Sequence, residues 1–145
     1  MNKADFLKQL DHSVIESAIA RAESVTSGEI RVAIIHEPTG NPLALAQDTF
    51  TRLGMTKTKH RNAVLILIAP ASQTFAVIGD QAVHQKCGPA FWEDLTTAMS
   101  GSFKSGNFTA GLIEGISRAG DLLAAHFPRE PGDANELPDT IIGPR

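Results

Sequence analysis

Several absences narrow the field before any motif is read. The chain of 145 residues has one cysteine, Cys87, so no disulfide can form within it, and a lone thiol reads as a small core side chain rather than a nucleophile. No apolar run approaches the ~18 residues that a membrane-spanning helix needs. The opening stretch MNKADFLKQLDHS has no apolar core of a signal peptide, so the chain reads as soluble and cytoplasmic. Charge of one sign is missing too. With 20% charged residues, a net charge of -3 and basic residues scattered along the chain, there is no footprint for nucleic acid or an anionic membrane. No internal repeat, heptad, Walker or dinucleotide glycine pattern occurs, and no H-E-x-x-H cluster.

What is present is organised around HRNAVLILIAPASQTFAVIGD, residues 60 to 80. Ala63 to Ala69 is a continuous apolar run of Val, Ile and Leu, the pattern of a strand buried on both faces. Pro70 to Gln73 then joins it to a second apolar run, Thr74 to Ile78, and so short a connection predicts an antiparallel hairpin. A hairpin returns the chain to its starting point. Asn62, at the head of one strand, and Gly79-Asp80, at the foot of the next, are therefore expected side by side.

The chain before this point predicts a helix, a strand and a second helix. Phe6, Leu7, Leu10, Val14, Ile15, Ala18, Ile19, Ala22 and Val25 recur at three- and four-residue steps, with Asp11 or Ser13 as a cap and Ser27-Gly28 as the stop. Glu29 to His36 alternates as a strand, EPTGNP is a loop, and Leu43 to Leu53 is helical. Strand, helix, strand implies a right-handed crossover and a parallel pair. Parallel pairing would bring Ser27, Gly28 and Glu29 to the edge that holds Asn62 and Asp80.

After the hairpin, Asp80 to Cys87 predicts a short helix ended by Gly88-Pro89, and Pro89 to Phe103 a second one carrying Phe91, Leu95 and Met99 on one stripe. Asn107 is a candidate cap for a last helix with Phe108, Leu112, Ile116, Leu123 and Phe127. Gly111, Gly115 and Ala119 give that helix a small-residue groove for a close neighbour. From Pro128 onward four prolines and two glycines in eighteen residues predict an extended tail, with Ile141 and Ile142 as its apolar contacts.

The phrases TSGEIRV, RNAVLILIA, FAVIGD, FWEDL, FKSGNFTAGL and NELPD, in this order and spacing, resemble the short bacterial form of the TPM domain family, named partly from a thylakoid acid phosphatase and a photosystem repair protein. The resemblance runs from about Asp11 to Asp139. It implies a single-domain α/β/α sandwich, a mixed sheet of one βαβ unit plus an antiparallel hairpin flanked by helices. We divide the chain into a TPM-like domain, residues 1–127, and a Pro-rich tail, residues 128–145. The resemblance also implies that some members bind calcium through acidic residues at the sheet edge, and that the thylakoid member is a phosphatase. This chain departs from the pattern: Arg61 precedes Asn62 where many members place an acidic residue, so a cation would lose a ligand and meet a positive neighbour.

The candidate site residues are Glu29, Arg61, Asn62, Asp80 and His84, with Asp80 the candidate catalytic residue and metal ligand. Each has a plainer role: Asp80 after Gly79 suits a helix cap, His84 an exposed helix face, and Glu29 a surface pair with Arg31. The basic loop TKTKHRN is ordinarily a solvated connection, yet it suits an acidic or phosphorylated ligand. The first reading is a binding or regulatory module that holds a protein partner through the edge around Asn62 and Asp80. The alternative is a divalent-cation-assisted phosphatase, in which Asp80 ligates the ion or acts as nucleophile or base, Arg61 clamps phosphate and His84 protonates the leaving group.

Overall fold

A computed structural model describes residues 10–35, 37–129 and 141–142. Phe6 and Leu7 of the first apolar stripe, His36 at the end of the first strand, and the NELPD phrase lie outside the described residues. The element order is α1 (His12–Glu23), β1 (Glu29–Ile34), α2 (Pro42–Arg52), β2 (Ala63–Ala69), β3 (Thr74–Gly79), α3 (Gln81–Lys104) and α4 (Phe108–His126).

The sheet has the order β1-β2-β3. β1 and β2 run parallel with Glu29 opposite Ala63, and β2 and β3 run antiparallel with Val64 opposite Gly79. The hairpin turns through a short 3-10 segment, Pro70–Ser72, and closes at Gln73 with φ 54°. Because strand side chains alternate, one face of the sheet meets α2 through Ala33, Leu65, Leu67, Ala76 and Ile78 with Ala46 and Phe50. The other face, Ile30, Val32, Ile34, Val64, Ile66 and Ile68, joins Ile15 and Ile19 of α1, Leu95 and Met99 of α3, and Leu112 and Ile116 of α4. All seven residues of β2 are buried, as its unbroken apolar run predicts. The α/β/α sandwich with a mixed sheet is the observed fold.

The termini of the helices show which side chains set them. Asp11 caps α1, accepting from the Val14 N–H at 3.1 Å. The helix ends at Glu23, earlier than Ser27-Gly28, so Val25 falls outside it and is exposed. The reason lies in Thr26, whose hydroxyl donates to the Phe127 carbonyl and draws the chain away from helical geometry. Asn107 precedes α4, but its side chain makes no capping hydrogen bond; its carbonyl instead accepts from the Gly111 N–H at 2.9 Å. Within α3, Gly88 has φ 71° and ψ 173°, so Gln81 to Cys87 and Pro89 to Lys104 are two helical segments meeting at a kink.

The small residues of α4 face two neighbours. A Cβ on Gly111 would lie 2.6 Å from the Phe103 ring, one on Gly115 would lie 2.6 Å from Met99 Sδ, and one on Gly120 would lie 2.7 Å from Ala22 of α1. Beyond α4, Ile142 pairs with the outer edge of β1: its N–H donates to Val32 O at 2.9 Å and its carbonyl accepts from Ile34 N–H at 2.7 Å. Ile141 beside it is buried, and its N–H donates to a Glu16 carboxylate oxygen at 2.9 Å. This short contact covers backbone groups that an edge strand would otherwise present to other chains.

Candidate functional site

Parallel β1–β2 and antiparallel β2–β3 place the starts of β1 and β2 and the end of β3 at one edge of the sheet. The Asp80 N–H donates to Ala63 O at 2.9 Å, extending the ladder by one residue past Gly79. Asp80 then turns the chain into α3: its carbonyl accepts from Val83 N–H at 3.0 Å and His84 N–H at 3.2 Å, and its Oδ1 accepts from Gln81 N–H at 2.8 Å. It is the N-cap of α3.

The same carboxylate is gripped by Arg61. Arg61 Nε donates to Asp80 Oδ2 at 2.6 Å and a terminal guanidinium nitrogen to Oδ1 at 2.8 Å. The side chain of Asp80 is 5% exposed and that of Arg61 38%, so the pair lies at the mouth of the edge rather than free in solvent. The fork-on-fork arrangement raises the guanidinium pKa above its already high ordinary value, first through the side-chain hydrogen bond and less through Coulomb attraction, against a lowering by desolvation. Arg61 reaches this position from backbone with φ 53°, in the left-handed region, and its carbonyl accepts from Ala82 N–H at 3.2 Å. The residue preceding β2 is thus tied to the first turn of α3 through side chain and backbone.

Asn62 is fully buried, and its Nδ2 donates to Ser27 Oγ at 3.2 Å. Asn62 Oδ1 is buried and has no hydrogen-bond partner among the described residues. An orphaned acceptor costs ~1–3 kcal/mol, so this corner holds a polar group that the fold itself does not use. Gly28 sits where a Cβ would lie 2.9 Å from Leu123 and 3.2 Å from the Asn62 carbonyl, which is why glycine stands there. Glu29 opens β1 at the same edge but is 1% exposed, and Arg31 is 7% exposed, so neither belongs to a surface pair.

His84 is exposed and lies beside Trp92, with ring centroids 5.2 Å apart at 39°. Trp92 covers the end of β3, where a Cβ on Gly79 would lie 2.7 Å from its ring. The structure therefore gathers Glu29, Arg61, Asn62 and Asp80 at one edge, joins Arg61 to Asp80 directly, and sets His84 against an indole. A cleft of about 350 Å³ opens beside this edge, lined by Ser27, His60, Ala82, Lys86, His126, Phe127 and Pro128. Lys86 Nζ lies 5.0 Å from the centre of the Phe127 ring. Only Ser27 and His60 were legible as neighbours of this edge. Lys86 and His126 carry no local motif, and their place depends on where two helices stop.

A calcium ion takes six to eight oxygen ligands, most strongly from carboxylates. Among the described residues no group of three or more His, Cys, Asp or Glu side chains is placed to hold a metal. At the edge itself, both Asp80 oxygens face the Arg61 guanidinium, which occupies the direction a cation would need. The donor set does not fit calcium. Among the described residues no helix is long and apolar enough to cross a membrane.

Comparison with known proteins bears on this geometry. The model of the TPM domain family matches residues 1–122. The NMR structure of the BA42 protein from the psychrophilic bacterium Bizionia argentinensis is similar at 40% identity with a TM-score of 0.85, covering 90% of each chain. The N-terminal domain of the cg2496 protein from Corynebacterium glutamicum shares the fold at 15% identity, TM-score 0.62, over 80% of this chain and 75% of that one. A P. gingivalis N-terminal domain does so at 17% identity, TM-score 0.65, over 88% and 78%. No curated protein matches the chain.

Proposed function

The chain belongs to the TPM domain family, and from that premise we propose that it is a binding or regulatory module whose contact surface is the sheet edge around Asn62 and Asp80. One observation carries the reading: the carboxylate that would serve a metal-assisted phosphatase is held by Arg61 through two hydrogen bonds, at 2.6 and 2.8 Å, while also capping α3. A nucleophile or metal ligand is most effective with its lone pairs free for the target, and three hydrogen bonds, two of them from the protein's own cation, already engage the Asp80 carboxylate. Arg61 spends the Nε edge of its guanidinium on Asp80, so the fork that would clamp a phosphate side-on is occupied by the protein's own carboxylate. His84 packs against the Trp92 ring, and no hydrogen bond joins it to Asp80 through its side chain among the described residues. What remains is a pre-organised edge with an unused buried acceptor on Asn62 and a cleft of about 350 Å³ beside it.

Hydrolysis of p-nitrophenyl phosphate, measured with calcium or magnesium present, tests this. Wild type and Asp80→Asn are both expected to match the rate without protein. Turnover by wild type that disappears in a folded Asp80→Asn variant would overturn the reading and restore the phosphatase.

A further inference from the structure

The cleft beside the edge has a chemistry of its own. Its walls come from four places: Ser27 from the turn before β1, His60 from the loop before β2, Ala82 and Lys86 from α3, and His126, Phe127 and Pro128 from the end of α4. Three of the seven lining residues are basic and none is acidic. The contrast with the cleft of about 390 Å³ between α3 and α4 is clear, because there Asp94 and Asp121 line the same space as Arg118. Among the described residues, Lys86, His60 and His126 form no ion pair. In a chain of net charge -3, an ammonium and two imidazoles around one small space with no acidic lining residue form a local exception.

Two further features fit a ligand of opposite sign. Ser27 Oγ accepts from Asn62 Nδ2 at 3.2 Å, and among the described residues its own O–H has no acceptor, so the hydroxyl is left as a donor on the cleft wall. The backbone acceptor that would repel an anion is used up: the Phe127 carbonyl, at the end of α4, accepts from the Ser27 N–H at 2.9 Å and from the Thr26 hydroxyl. The Asp80 carboxylate at the adjoining edge is paired with Arg61. Lys86 is held over the Phe127 ring, which fixes its ammonium without cancelling its charge.

We infer that this cleft is a site for a small oxyanion, carboxylate or phosphate, whose oxygens meet Lys86, His60, His126 and the Ser27 hydroxyl, with Phe127 and Pro128 as the apolar floor. At about 350 Å³ the space lies at the low end of ligand pockets, ~300–1,000 Å³, and suits a head group with a short body rather than a nucleotide. The inference rests on the reading of this edge as a binding surface and names the ligand chemistry it would take. One ammonium joined by imidazole and hydroxyl donors from several elements, already in place, is an arrangement that recognises oxyanions without a metal.

The test is an amide NMR titration of the full chain with sodium phosphate, sodium acetate and phenyl phosphate, each against sodium chloride at matched ionic strength. Saturable shifts centred on Ser27, His60, Lys86 and His126, absent with chloride, are expected, and Lys86→Gln should weaken them about tenfold. Tighter binding of phenyl phosphate than of phosphate would mark the head group of an organic molecule; equal binding would mark a free anion. Shifts no larger than those with chloride, or saturable shifts unaltered in both Lys86→Gln and His126→Gln, would overturn the proposal. Both side chains are exposed, and neither touches the Arg61–Asp80 pair, so this failure is distinct from phosphatase activity or calcium binding appearing at Asp80.

Discussion

Arg61 and Asp80 are nineteen positions apart in sequence and share two hydrogen bonds in space, so the loop before β2 and the cap of α3 form one unit. A charge that the family pattern would spend on a bound cation is here met by the chain itself. The consequence is a sheet edge where the Asp80 carboxylate is paired within the chain, beside a cleft lined by Lys86, His60 and His126.

Removal of the Asp80 side chain should therefore be read first in stability. Asp80→Ala loses the acceptor for the Gln81 N–H and the partner of Arg61, and should cost about 1–2 kcal/mol, as lost caps do. Asp80→Asn keeps a capping oxygen and should cost about half as much, ~0.5–1 kcal/mol. Urea unfolding of both variants measures the order, and a larger loss for Asn than for Ala would contradict the cap.

Gly79 and Trp92 make a second test. A Cβ at residue 79 would stand 2.7 Å from the indole ring, which is also packed against Phe91 at 4.9 Å between ring centroids and cannot simply swing clear. Gly79→Ala is expected to cost about 1–3 kcal/mol, the range for overpacking, and to shift the emission of the single tryptophan. Unchanged stability and unchanged emission would show that the ring does not cover the end of β3.

Ile141 is expected to matter despite lying far beyond α4. Its side chain is 4% exposed beside the pairing of Ile142 with β1, so Ile141→Ala should lower stability by about 2 kcal/mol, the low end for such truncations because a terminal segment can settle into the space. A thermal midpoint equal to wild type would mean that this contact does not persist in solution.

Cys87 gives a pH signature. Burial raises the thiol pKa above its ordinary value, with Lys86 pulling it down by a smaller amount. In the interval between the unfolded and the folded value, the unfolded chain has lost a proton that the folded chain keeps, so stability falls as pH rises through that interval and is untouched below it. Unfolding midpoints from about pH 7 to 10 should fall more steeply for wild type than for Cys87→Ala. Parallel curves would contradict the burial of the thiol.

The fold was legible because its strands declare themselves. Ala63 to Ala69 is apolar throughout, and the four-residue link after it leaves little choice but a hairpin. From those two facts and one crossover helix, the meeting of Glu29, Asn62 and Asp80 at one edge follows. The side-chain partnership did not follow. Arg61 could be read as an obstacle to a cation but not as the partner of Asp80, since that depends on a left-handed backbone at residue 61 that no local sequence rule assigns to arginine. His84 stands four residues after Asp80, where a shared face is reasonable, but its contact with Trp92, which lies beyond the Gly88 kink, is not legible from helical spacing. The basic cleft was hidden for a similar reason: Lys86 and His126 are 40 residues apart on two helices that pack together, and the tie between Ser27 and Phe127 adds the wall from the turn before β1.

The most direct test of this account is a calcium titration of the wild-type chain, followed through the amide shifts of Glu29, Asn62 and Asp80 with magnesium as control. With the Asp80 carboxylate held by Arg61, no saturable shift at these positions is expected up to millimolar calcium. Saturable shifts confined to them would show that calcium displaces the guanidinium, and that the edge is a cation site after all.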